Sequence, residues 1–204
     1  MAALLLTTLF VHANAAPYDS TYFPRPTEDF LIRGANVFDG TGAQPAIADV
    51  IVKKGRIADI GTNLSAGQLT IIEATGQWLT PGVIDVHSHL GVYPSPRIPS
   101  TSDGNEATAP NTAEVWAEHS VWPQDPQFNL ALEGGVTSLQ ILPGSANLFG
   151  GRGVTLKNVP SRTVTGMKFP GAPQGLKMAC GENPKRVYGN RNMAPSTRMG
   201  NVVG

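Results

Sequence analysis

From residue 30 to residue 80 the apolar positions fall in short runs broken by glycine and turn-forming polar residues, a rhythm of strands rather than helices. Phe30-Leu31-Ile32-Arg33 and Asn36-Val37-Phe38 are β-prone runs separated by Gly34, and Asp39-Gly40-Thr41-Gly42 closes them with turn chemistry. Residues 49–53 and 56–60 predict a hairpin about Lys54-Gly55, with Val50 and Val52 on one face because strand side chains alternate. Residues 70–73 and 78–79 add two further strands. The expectation is a small all-β unit over residues 30–81.

After Thr80-Pro81-Gly82 the pattern changes. Val83-Ile84-Asp85-Val86 is a short apolar run suited to a buried parallel strand, and His87 and His89 end it. Residues 91–110 show no hydrophobic period and predict a long loop. Residues 112–119 and 128–132 have helical composition, Gly134-Gly135 stops the helix, and residues 136–142 predict the next strand, reached by a right-handed parallel crossover. Residues 143–153 form a glycine-rich loop; residues 154–157 and 163–169 predict an inserted hairpin. Residues 175–180 predict a third parallel strand and 183–188 the start of a helix, with Ser196 capping another.

Ahead of these units, residues 2–11 form an apolar run followed by Ala13-Asn14-Ala15, which predicts a signal peptide over residues 1–15 and an exported, periplasmic or secreted protein. No Lys or Arg precedes the run, a departure from a full signal. It is shorter than the roughly 20 residues a membrane-spanning helix needs, so no membrane span is expected. Residues 16–29, rich in proline and polar side chains, read as a linker.

Composition narrows the partners. Of 204 residues, 41% are hydrophobic, enough to bury a core. The 15 basic and 15 acidic side chains cancel, which removes the electrostatic footprint of a nucleic-acid or anionic-membrane partner. Cys180 is the single cysteine, so disulfides play no part.

The chemistry centres on His87-Ser88-His89. Two histidines one residue apart on a strand project to the same face and can grip one ion, and the carboxyl end of a parallel strand is where active sites collect. Taken alone, the pair reads equally well as two polar residues on a half-exposed strand. The flanks decide. Thr80-Pro81-Gly82-Val83-Ile84-Asp85-Val86-His87-Ser88-His89, preceded by Lys54-Gly55-Arg56-Ile57 and Ile60-Gly61, closely resembles the amidohydrolase superfamily, particularly its imidazolonepropionase-like and prolidase-like branch. Glu133-Gly134-Gly135-Val136-Thr137-Ser138 resembles that family's helix-to-second-strand junction, and Gly181-Glu182-Asn183-Pro184-Lys185-Arg186 recurs in this branch.

The resemblance implies an α/β fold: a partial (β/α)8 TIM-type barrel over residues 82–204, preceded by a small β-sandwich domain. It implies one or two divalent ions, usually zinc, at the barrel mouth, with His87 and His89 on the more buried one. Such an ion lowers the pKa of water enough to make hydroxide, for attack on an amide or cyclic amide carbonyl of a small molecule. Asp85 shares the parity of the histidines and reads as a carboxylate supporting them from deeper in the strand.

The family completes its site with a glutamate at a later strand end or with a carboxylated lysine. Glu182, directly after the strand at residues 175–180, is taken as the third metal ligand, and Lys177 is its competitor. Five residues apart, they lie on opposite faces of one strand, so only one lines the site unless a bulge intervenes. An acid at a helix N-terminus, favoured by the dipole, is the other account of Glu182. Ser145, Asn147 and Arg152, in the loop after the second strand, are candidate substrate contacts. Gly150-Gly151-Arg152-Gly153 lacks the Lys-Ser/Thr ending of a phosphate loop.

A complete barrel takes roughly 250 residues. No segment here offers the two later histidines and the catalytic aspartate that the resemblance calls for, so the chain by itself is expected to lack turnover and to expose apolar strands. The competing reading is an exported, non-enzymatic binding or scaffold module. The sequence leaves a homo-oligomer open.

Overall fold

The alternating segment folds as its period predicts. In the computed structural model, which describes residues 17–203, it forms a five-stranded sheet of β1 (Phe30–Val37), β2 (Ala46–Lys53), β3 (Arg56–Gly61), β4 (Thr70–Glu73) and β5 (Trp78–Leu79). The order is β3-β2-β1-β4. β1 runs antiparallel to β2 and parallel to β4 and β5. Lys54 and Gly55 turn the β2–β3 hairpin with φ of 51° and 70°, the positive-φ pair whose twist matches that of the strands. Between Ile32 and Ala35 the register of β1 slips, at Gly34. The Gly34 amide donates to Asp49 Oδ1 and the Leu64 amide to Oδ2, each at 2.9 Å, so a buried carboxylate fixes the bulge and has both oxygens bonded. Leu31, Ala35, Val50 and Ala74 are buried. The sheet lies in a compact unit, Phe23–Val83.

The residues from Ile84 onward, with the segment ending at Tyr22, form the other unit. Its elements are β6 (Val83–Ser88), α1 (Gln127–Glu133), β7 (Val136–Ile141), β8 (Phe149–Arg152), β9 (Val154–Lys157), α2 (Val164–Met167), β10 (Leu176–Met178), α3 (Glu182–Gly189) and α4 (Arg198–Val203). β6, β7 and β9 make a three-stranded sheet in that order, and β8 pairs β10 in a separate ribbon. Leu139 and Ile141 of β7 and Val154 and Leu156 of β9 pack with Val92, Val121, Phe128 and Met167 into one core. Asn158 fastens α1 to β7, donating to the carbonyls of Phe128 and Val136, both at 2.9 Å. Buried Asp125 accepts from the Gly91 and Gln127 amides at 2.9 and 3.0 Å, which sets the loop after β6. Gly91 cannot carry a side chain there, since a Cβ would stand 2.8 Å from Val121.

Expectations change at several places. The run Val83–Val86, expected to be buried, is more than half exposed at Val83, Ile84 and Val86, and residues 149–152, expected in a glycine-rich loop, form β8. Residues 112–119 hold a turn at Ala113–Glu114 and a 3-10 turn at Ala117–His119 in place of a helix, because β8 claims their backbone: the Thr112 amide donates to the Phe149 carbonyl and the Arg152 amide to the Val115 carbonyl, each at 2.8 Å. Residues 163–169 hold α2 instead of a hairpin strand, capped by Thr163, whose hydroxyl accepts from the Gly166 amide at 3.2 Å. β10 is antiparallel to β8 and lies outside the β6-β7-β9 sheet, so it is no third parallel strand beside β6 and β7. Thr197, and not Ser196, bonds the first turn of α4, accepting from the Gly200 amide at 3.0 Å. Residues 1–15, read as a signal peptide, lie outside the described residues. Among the described residues no helix is long and apolar enough to cross a membrane.

Candidate metal centre

Strand alternation brings His87 and His89 to one face at the end of β6. Their ring centroids are 5.2 Å apart and nearly perpendicular, at 86°. The end of β6 is laced to the end of β7: the Leu142 amide donates to the Ser88 carbonyl at 2.9 Å, and His89 Nδ1 lies 2.8 Å from the Leu142 carbonyl. A carbonyl can only accept, so Nδ1 carries the proton and the Nε2 lone pair is left for a ligand role. Asp85 accepts the His87 amide through Oδ1 at 3.0 Å, which stiffens the strand end from below. Tyr93 stands edge-on to His89, ring centroids 5.8 Å apart.

The third group at this point is Lys177. It is 7% exposed, and its Nζ meets His87 Nε2 at 3.1 Å. Burial pushes the Lys177 ammonium below its usual range, toward the neutral amine. The Lys177 charge first, then burial and the adjacent His89, push the His87 imidazole down, against the opposing pull of Asp85. The His87 shift favours the neutral imidazole, the form a metal takes, and has its largest cause in a Lys177 that still carries its charge.

Glu182 does not join this cluster. It opens α3 with its side chain 68% exposed, and Lys185 donates to its carboxylate at 3.0 Å. The acid at a helix start is the account that the geometry of Glu182 fits. Asn147, a candidate substrate contact, is 1% exposed; its amide donates to the Glu106 carbonyl and Thr112 Oγ1, both at 2.6 Å, and its oxygen accepts from Tyr188 at 2.5 Å. Every polar atom of that side chain is engaged in holding the loop. Arg152 is exposed and lies over Trp116, 5.1 Å from the ring centroid, while Ser145 is half-buried. Among the described residues, no group of three or more His, Cys, Asp or Glu side chains comes together as a metal site. Lys177, the alternative to Glu182 in the sequence, lies buried opposite Gly151 of β8, a placement that only the fold supplies.

A cleft of about 330 Å³ adjoins this point, lined among others by Asp103, Glu106, Trp116 and His119. Two of its other residues lead toward the cluster: Pro143 follows Leu142, whose carbonyl meets His89, and a Cβ on Gly150 would stand 3.6 Å from Lys177 Cγ.

No family model matches the chain. The amidohydrolase tasK of Hapsidospora irregularis is 37% identical over 174 residues, covering 79% of this chain and 18% of that protein. The 5'-deoxyadenosine deaminase of Methanothermobacter thermautotrophicus is 29% identical over 103 residues, which is 50% of this chain and 22% of the relative. Among solved structures, an amidohydrolase from Thermotoga maritima superimposes with a TM-score of 0.77 at 45% identity, covering 85% of this chain and 45% of that one. The chain thus spans about a fifth of the length of these two curated relatives and less than half of the solved one.

Proposed function

Because this chain belongs to the amidohydrolase superfamily, we propose that it contributes the first part of a divalent-metal site to a hydrolase acting on the carbon-nitrogen bond of a small-molecule amide or cyclic amide. On this reading β6 and β7 begin a (β/α)8 barrel wall, and the Phe23–Val83 unit is a portion of a β-sandwich. The donor set fits such an ion. His89 offers Nε2 with its tautomer fixed by the Leu142 carbonyl, and His87 Nε2 lies 3.1 Å from the Lys177 amine. Zinc suits two imidazoles and a carboxylate.

The carboxylate is assigned to Lys177 in place of Glu182. A neutral lysine amine adds to the carbon of carbon dioxide, forming an N–C bond and releasing one proton to solvent, and leaves a carbamate. Burial favours the neutral amine that this addition needs, and the 3.1 Å approach to His87 puts the product beside the ligand pair. The ion, when bound, supplies Lewis acidity toward water and the substrate carbonyl. The protein's own part is to orient His89 through Leu142, to steady the backbone of His87 through Asp85, and to receive substrate in the cleft bounded by Pro143 and Gly150. Arg152 and Ser145 stay candidate substrate contacts.

The observation that carries this reading is the buried Lys177 amine against His87. The test is metal content after dialysis in bicarbonate buffer. The wild-type chain is expected to retain zinc, and His87→Ala/His89→Ala to lose it. Lys177→Ala should also bind poorly and regain metal with added acetate. Equal metal in wild type and the double variant sinks the proposal, while a Glu182→Ala loss with Lys177→Ala intact returns the carboxylate to Glu182. Export rests on residues 1–15 and is proposed on that ground; a mature N-terminus at Ala16 on sequencing supports it, and a retained Met1 speaks against it.

A further inference from the structure

Glu118 and Lys168 form an ion pair with side chains 2% and 8% exposed. A pair that deep costs more in lost hydration than its attraction returns, unless its remaining polar sites are also bonded. Those bonds come from a distant stretch of main chain. The Tyr18 amide donates to Glu118 Oε1 at 2.8 Å, and Lys168 Nζ donates both to the Tyr18 carbonyl and to Glu118 Oε2. One peptide segment therefore supplies a donor to the buried acid and an acceptor to the buried base. The contact continues along the segment: Ser20 Oγ donates to the Lys168 carbonyl at 2.6 Å, and the Thr21 amide to the Thr165 carbonyl at 2.9 Å. The Lys157 ammonium stands 5.1 Å from the Tyr22 ring. The Tyr18 side chain is itself 62% exposed, so recognition runs through the backbone.

This segment, read from composition as part of a linker, bears on the cleft. Glu118 lies in the 3-10 turn Ala117–His119, whose Ala117 and His119 line the cleft, and the Tyr18 ring packs edge-on against His119 at 5.3 Å and 82°. At its other end the segment grips α2, which packs against β9.

We infer that residues 17–22 are a strap whose main chain completes the Glu118–Lys168 pair and so holds the Trp116–His119 wall of the cleft in place. Release of the strap leaves two buried charges short of partners, and the turn that carries Glu118 must open to hydrate it. The strap makes order in the cleft wall depend on a segment about a hundred residues earlier in the chain. The inference stands whether or not the metal reading holds, because no metal ligand takes part in it.

The experiment is hydrogen–deuterium exchange on the full chain, read over residues 17–22 and 115–120. In the wild type the Tyr18 and Thr21 amides should be protected. Tyr18→Pro deletes the amide that Glu118 accepts, and it is expected to speed exchange by about ten- to a hundredfold in both segments, the range for losing a bond to a charged partner. Thr21→Pro deletes the amide bonded to Thr165 and alters neither charged side chain, and by loosening the strap it should speed exchange in both segments; it is the milder variant to read if Tyr18→Pro does not fold. Two results overturn the inference: residues 17–22 exchanging in the wild type as fast as a free peptide, or variants that loosen 17–22 while 115–120 keep wild-type protection.

Discussion

Tyr188 is fully buried on α3, and its hydroxyl lies 2.5 Å from both the Ala109 carbonyl and Asn147 Oδ1, which share its one proton. Burial pushes its ionisation up, opposed by Arg191 and reinforced by Glu106. A folded-state pKa raised above the unfolded one contributes stability that is fully present below the unfolded value, about 10, and is lost as pH climbs through the raised value. Tyr188→Phe should therefore melt earlier at neutral pH, by about 1–3 kcal/mol for two acceptors left dry. It should also lose stability less steeply above about pH 10. Tyr93, likewise raised mainly by burial, keeps part of that alkaline slope. Thermal melts from pH 7 to 11 on both proteins check this; parallel alkaline arms would show that Tyr188 is not the titrating group.

At the scale of elements, Gly151 couples the β8–β10 ribbon to the candidate metal centre. It pairs directly with Lys177, has φ of 112°, and a Cβ on it would stand 2.5 Å from Val115 Cγ2 and 2.8 Å from the Val115 carbonyl. Gly151→Ala is expected to cost about 2–3 kcal/mol through backbone strain and overpacking. It should also displace Lys177 and weaken zinc retention; a destabilised variant with wild-type metal affinity would separate the ribbon from the site. The same ribbon marks where sequence reasoning runs out. β1 to β5, α1, β7 and α3 were legible because alternation, Gly34, Lys54-Gly55 and Gly134-Gly135 are local signals. Residues 112–119 were not, since their helical composition gives way to pairing with β8, a partner nearly 40 residues on. The choice between Lys177 and Glu182 was visible as an either-or from strand parity. The fold adds what no local pattern encodes: Lys177 is buried opposite Gly151, with a register slip between Lys177 and Met178.

Across the whole molecule the apolar surface is the feature with consequences. β6 leaves Ile84 and Val86 at 67% and 68% exposure, and the Phe23–Val83 sheet leaves Ile47, Ile57 and Trp78 above 60%. Contiguous apolar strand surface of this kind favours association and binds hydrophobic dyes. Ile84 and Val86 alternate with Asp85 and His87, so they occupy the opposite face of β6 from the metal-site side chains. That parity allows a clean separation. Ile84→Thr/Val86→Thr keeps β-branched residues in the strand, and should reduce dye fluorescence and concentration-dependent sedimentation while zinc retention is unchanged. Because both side chains are mostly exposed, melting should move by no more than about 0.5 kcal/mol per substitution. A variant that still associates as the wild type does would assign the association to Ile47, Ile57 and Trp78, and one that loses zinc would mean that the two faces of β6 are not independent.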